Sequence, residues 1–81
     1  MIKIYGRAGC SSCDQAKALC ESNGVSYEYL SLGKDYQLSE FMSIKEGHRS
    51  FPLITKDDEY IGGLVELKES LYLLMHVMGE G

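Results

Sequence analysis

The chain has 81 residues, of which 44% are hydrophobic and 25% charged, and its net charge is −4. That length and composition fit one globular domain, residues 1–81, with a modest core, and exclude wholesale disorder. An acidic balance without a basic block argues against nucleic acid or an anionic membrane as partner, and three cysteines cannot staple a secreted scaffold in pairs.

Ile2 to Tyr5 is short and alternating and meets Gly6 and Gly9, which reads as a strand followed by a loop. The apolar run there is too short for a signal peptide, and no stretch approaches a membrane span. A cytoplasmic location is therefore expected, where cysteines stay reduced. From Ser11 the period becomes helical through Cys13, Ala16, Leu19 and Cys20, with Asp14 complementing the first turn and Asn23-Gly24 supplying the stop. Val25 to Leu32, with Tyr27 and Tyr29, predicts a second strand. Asp35 is the expected N-cap of a second helix with Leu38, Phe41 and Met42 on one face, ending at Gly47.

Pro52 then opens Leu53-Ile54-Thr55, and the polar run Lys56-Asp57-Asp58-Glu59 separates it from Tyr60-Ile61, which together predict a hairpin. After Gly62-Gly63, the stripe Leu64, Leu67, Leu71, Leu74 and Met78 predicts a final helix. The order is β-α-β-α-β-β-α. A crossover helix between the first two strands makes them parallel, and the hairpin adds antiparallel strands. The expected fold is an α/β four-stranded mixed sheet with helices on both faces.

Cys10-Ser11-Ser12-Cys13 falls where the first strand hands over to the first helix. Amides at a helix N-terminus lack internal partners and carry positive partial charge, so an anion there is stabilised. A Cys10 thiolate is such an anion, and Arg7 is close enough in sequence to add a full positive charge. Cys13, one turn deeper, can reach the Cys10 sulfur while facing the core. Attack by Cys10 and resolution by Cys13 are the expected roles. A spaced cysteine pair is also half a zinc site, but Cys20, His48 and His76 form no second pair, so no metal is expected. Cys20, on the apolar stripe, reads as a buried small hydrophobe.

Two further motifs admit two readings each. Pro52 after Phe51 either starts a strand where no ladder donor is needed, or forms a cis bond that leaves the Phe51 backbone open to an extended peptide. Gly62-Gly63 before Glu66 is either a turn with a helix-complementing acid, or a receptor where amides take a ligand carboxylate and Glu66 takes its ammonium. Both arginines, Arg7 and Arg49, flank these motifs, which suits a small anionic thiol.

Together these residues resemble the glutaredoxins. The resemblance runs through Tyr5-Gly6-Arg7-Ala8-Gly9-Cys10-Ser11-Ser12-Cys13, Ala16-Lys17-Ala18-Leu19, Gly24-Val25-Ser26-Tyr27, Ser50-Phe51-Pro52 and Tyr60-Ile61-Gly62-Gly63. The stretch from Lys34 to Pro52 is similar to the small glutaredoxins of large tailed phages. The resemblance implies a thioredoxin-like fold and reduction of protein disulfides and glutathione mixed disulfides. It also implies glutathione as cosubstrate, with no tightly bound cofactor.

By the same resemblance Cys10 is the nucleophile and Cys13 the resolving cysteine, and Pro52 is a cis-proline. Arg7, Ser12, Ser50, Phe51, Pro52, Leu64, Val65 and Glu66 would form the glutathione site. The expected potential is about −200 to −230 mV. A monomer acting on disulfide-containing proteins, ribonucleotide reductase among them, is expected.

Three positions depart from the family pattern. Ser11-Ser12 stands where Pro-Tyr is common, Val65-Glu66 where the family has Thr/Asp-Asp, and Phe51 where valine is frequent. These keep two alternatives open. One is a small redoxin reduced by thioredoxin reductase and serving ribonucleotide reductase. The other is a non-enzymatic dimer holding a two-iron, two-sulfur cluster.

Overall fold

The computed structural model describes the backbone of residues 1–80 and the side chains of residues 1–72. Strand β1 (Ile2–Gly6) leads into helix α1 (Ser11–Ser22), then β2 (Tyr27–Ser31), α2 (Leu38–Ile44), β3 (Leu53–Lys56), β4 (Glu59–Gly62) and α3 (Leu64–Glu80). The sheet order is β2-β1-β3-β4. β1 runs parallel to β2, with Ile4 opposite Tyr29, and antiparallel to β3, with Ile4 opposite Ile54. β4 closes the sheet antiparallel to β3, with a register shift between Ile54 and Thr55.

Alternation along the central strands builds two cores. Ile2, Ile4 and Ile54 face one side and pack with Ala16 and Cys20 of α1 and Leu67 and Leu71 of α3. Leu53 and Tyr5 face the other side and meet Tyr36 and Phe41. Helices thus cover both faces, because successive side chains of a strand point to opposite sides. Cys20 is fully buried among these apolar residues. Leu74 and Met78 of the expected final stripe, and His76, lie outside the described side chains. Among the described residues no helix is long and apolar enough to cross a membrane.

Four local expectations need correction. Asp35 does not cap α2: its carboxylate accepts the Ser31 N–H at 2.8 Å and tightens the turn after β2. The cap is Gln37, whose N–H donates to Glu40 Oε1 at 3.2 Å, a reciprocal use of the third helical position. Leu38 and Met42 are not core residues, being 51% and 63% exposed. With seven residues, α2 is too short to bury more than one large side chain, Phe41. The hairpin turn is tighter than the polar run suggested. Lys56 and Glu59 pair within the strands, leaving Asp57 and Asp58 with φ of 52° and 69°, both left-handed, as a two-residue turn matched to sheet twist requires. Finally, β2 is shorter than the Val25 to Leu32 run.

Candidate active site

β1 is a central strand, and its C-terminal end delivers Cys10 to the N-terminus of α1. Cys10 is the N-cap residue, with extended φ and ψ of −105° and 108°. Its Sγ accepts the backbone N–H of Cys13 at 3.3 Å, and its carbonyl accepts that of Asp14 at 3.2 Å. The sulfur therefore occupies the position where a serine or aspartate oxygen ordinarily satisfies an orphan amide. An ionised sulfur there is the better acceptor and also faces the positive end of the helix.

The two thiols differ in access. Cys10 is 9% exposed, whereas Cys13 is 0% exposed. Burial, then the Cys10 sulfur beside it, pushes the Cys13 thiol up to about 11. All three cysteines are free thiols. Cys10 keeps a small exposure, whereas burial holds the proton on Cys13.

Opposite Cys10 stands the loop before β3. The Phe51–Pro52 peptide is cis, and the Phe51 carbonyl lies 4.0 Å from Cys10 Sγ. Phe51 precedes the first paired residue of β3, Leu53. Its ring packs on Phe41 at 4.6 Å between centroids, and the Arg7 guanidinium sits 5.4 Å above it. Arg7 thus forms one wall of the thiol site through Phe51. Arg49 borders the neighbouring cavity of about 440 Å³, which is also lined by Phe51, Phe41, Met42 and His48. Neither thiol lines that cavity; Phe51 is the partition between the two.

His48 holds the proline loop in place, a role with no signal in the sequence beyond the residue itself. Nε2 is 3.3 Å from the Pro52 carbonyl, and Nδ1 is 2.7 Å from the Tyr60 hydroxyl. A carbonyl only accepts, so in the neutral ring Nε2 carries the proton and Tyr60 donates to Nδ1.

The double-glycine turn packs against the same loop. A Cβ on Gly63 would stand 3.4 Å from the Pro52 carbonyl. Glu66 is turned back onto its own helix, where Oε1 accepts the Gly63 N–H at 2.7 Å. The turn reading of this acid is therefore realised, and one oxygen is already engaged. Gly62, at φ 131°, must stay glycine, since a Cβ there would lie 2.5 Å from Glu66 Cγ. Leu64 packs on the core, while Val65 and Ser50 are exposed and Ser12 is half-buried.

Four of the expected residues, Cys10, Cys13, Phe51 and Pro52, thus converge directly, and Arg7 joins them through the Phe51 ring. Glu66 is linked to the proline loop through Gly63. Ser12, Ser50, Leu64 and Val65 make no side-chain hydrogen bond that ties them to the thiols.

Comparison with known proteins agrees with this geometry. The family described as Glutaredoxin matches residues 2–61. Glutaredoxin 3 of Escherichia coli K12 is 35% identical over 66 residues, covering 82% of this chain and 80% of that protein. The structure of glutaredoxin 1 from Francisella tularensis, complexed with cacodylate, superposes with a TM-score of 0.73 at 32% identity, covering 93% of this chain and 95% of that one. A buckwheat glutaredoxin–glutathione complex has the same fold, with a TM-score of 0.73 at 20% identity, covering 96% of this chain and 69% of that one. With its cysteine pair at the mouth of the first helix and these relatives, the chain belongs to the glutaredoxin family of thiol–disulfide oxidoreductases.

Proposed function

We propose that the chain is a glutathione-dependent dithiol oxidoreductase that reduces protein disulfides and glutathione mixed disulfides. The observation that carries the proposal is the pairing of a helix-capping Cys10 sulfur, on a residue that keeps 9% exposure, with a Cys13 thiol that keeps none. The Cys10 thiolate attacks a substrate disulfide, one substrate sulfur leaves with the electron pair and takes a proton, and a mixed disulfide remains on Cys10. Cys13 then attacks Cys10 Sγ, expels the second substrate sulfur as a thiol, and closes the Cys10–Cys13 disulfide. Two glutathione molecules return the pair to dithiol and leave as glutathione disulfide.

Glutathione would lie along the proline loop and the double-glycine turn, contacted by Arg7, Ser12, Ser50, Phe51, Pro52, Leu64, Val65 and Glu66. The backbone of Ser50 and Phe51 precedes the β3 ladder and suits strand-like pairing with the cysteinyl unit. The turn from Leu64 to Glu66 opens α3, whose amides suit the γ-glutamyl carboxylate. The family membership and the glutathione complex of the buckwheat protein support this reading. Disulfide-containing proteins are the partners it implies, with the chain acting as a monomer in a reducing compartment.

A second reading keeps the thiol chemistry and takes electrons from thioredoxin reductase. It is favoured by the engagement of Glu66 with Gly63 and by apolar Val65 beside it, which leave fewer side-chain acceptors for a ligand ammonium. One set of assays separates the two readings. With glutathione, glutathione reductase and a glutathione mixed disulfide, the wild type turns over, Cys10→Ser does not, and Cys13→Ser retains activity. Absence of glutathione-dependent turnover, together with turnover on thioredoxin reductase, would establish the second reading instead.

A further inference from the structure

β2 carries Tyr29 across the end of β1, so that its hydroxyl stands over Gly6. A Cβ built on Gly6 would lie 2.4 Å from Tyr29 Oη and 3.0 Å from Cys13 Sγ. The phenol oxygen and the buried sulfur therefore share the space that any side chain at position 6 would fill. The Arg7 main-chain amide and the Tyr29 hydroxyl both act against burial and favour the ionised form of this sulfur. The Tyr29 hydroxyl also donates to the Arg7 carbonyl at 3.4 Å, a long bond that a rotating O–H gives up at little cost. Tyr36, by contrast, is committed to the Gly6 carbonyl at 2.8 Å.

This arrangement meets a difficulty in the resolving step. A thiolate, not a thiol, attacks a disulfide, yet burial holds the Cys13 thiol protonated. The charge that appears on Sγ as Cys13 loses its proton has no water to meet it, and a donor already in place is worth more there than at the surface. We propose that Tyr29 is a catalytic residue of the resolving step, its hydroxyl turning from the Arg7 carbonyl to donate to the Cys13 thiolate alongside the Arg7 amide.

The inference rests on the dithiol reading above and adds one group to it. In the step concerned, the Cys13 sulfur bonds to Cys10 Sγ and the Cys10–glutathione S–S bond breaks. The electron pair leaves on the glutathione sulfur, and the proton lost by Cys13 is balanced by the one that sulfur gains. Tyr29 lends a hydrogen bond and keeps its own proton. Other ionisable groups around the pair are Cys10, Tyr36, Asp14 and Lys17, whose Nζ is 4.5 Å above the Tyr29 ring and 3.7 Å from Asp14. None of them is altered by Tyr29→Phe, which removes only the hydroxyl.

The test mixes reduced full-length protein with one equivalent of glutathione disulfide and quenches at intervals for intact mass. Wild-type protein should form a Cys10–glutathione adduct that decays to the internal disulfide. In Tyr29→Phe the adduct should form at the wild-type rate and decay about tenfold more slowly at pH 7, as expected for losing a hydrogen bond to a charged group. The pH profile of decay should also move to higher pH. In Cys13→Ser, adding Tyr29→Phe should not change adduct formation or its removal by glutathione. Wild-type decay with an unmoved profile would overturn the role of Tyr29 and leave the dithiol reading intact. Equal slowing of formation and decay would make Tyr29 merely structural and overturn it too. A wild type that forms no adduct on Cys10 would remove the dithiol reading itself, and this role with it.

Discussion

Cys13 couples the chemistry of the pair to the stability of the reduced protein. Its thiol is pushed from 9.0 to about 11, first by burial and then by the neighbouring Cys10 sulfur. The folded state therefore holds this proton more tightly than the unfolded chain does. The resulting stability is complete below about pH 9 and is lost as the pH rises through about 11. Tyr29 and Tyr36, raised from 10.0 to about 12 mainly by burial, extend the loss upward. Urea titrations of the reduced protein should show a midpoint that is level to pH 9 and then falls. Cys13→Ala should fall less steeply between pH 9 and 11. Parallel curves for the two proteins would show that the buried thiol is not the group responsible. The burial of Cys13 was legible in the sequence because helical spacing put it on the core side of the motif. The neighbours that set its environment were not. Tyr29 reads only as a β-former, and its meeting with Cys13 over Gly6 depends on the parallel register of β1 and β2, which no local pattern specifies.

Two helix starts flank the proline loop, and each is finished by a side chain from its own chain segment. α1 begins on a sulfur, whereas α3 begins with Glu66 folded back to the Gly63 amide. That second cap also fixes the turn that packs against the Pro52 carbonyl. Glu66→Ala should lower stability by about 1 kcal/mol, the usual weight of such a cap, and Glu66→Gln by less, because its amide oxygen still accepts. Thermal unfolding of the three proteins checks the order. If Ala and wild type melt together, the bond is not maintained in solution. The helices and strands were readable because period and glycine stops agreed along most of the chain. α2 was the exception. Leu38, Phe41 and Met42 have helical spacing, yet the helix is short and only Phe41 is buried. Asp35 has the chemistry of a cap, yet it serves the preceding turn. Spacing reveals which residues share a face, but not how much of the sheet remains for that face to cover.

At the scale of the molecule, the sheet order places the two segments that matter side by side. β1 and β3 are the central pair, so the loop leaving β1 and the loop entering β3 emerge at the same edge. Cys10 and Phe51 are 41 residues apart in sequence but meet there at 4.0 Å. Against a net charge of −4, both arginines flank Phe51, Arg7 over its ring and Arg49 along the adjoining cavity. Their position puts two positive charges beside the proline loop. Cys13 and Cys20 are both fully buried, which leaves Cys10 as the one cysteine with any exposure. The most direct test is to expose reduced Cys13→Ser to glutathione disulfide and map the product by mass spectrometry. One glutathione per chain, on Cys10, is the predicted result. An adduct on Cys20, or none at all, would contradict it.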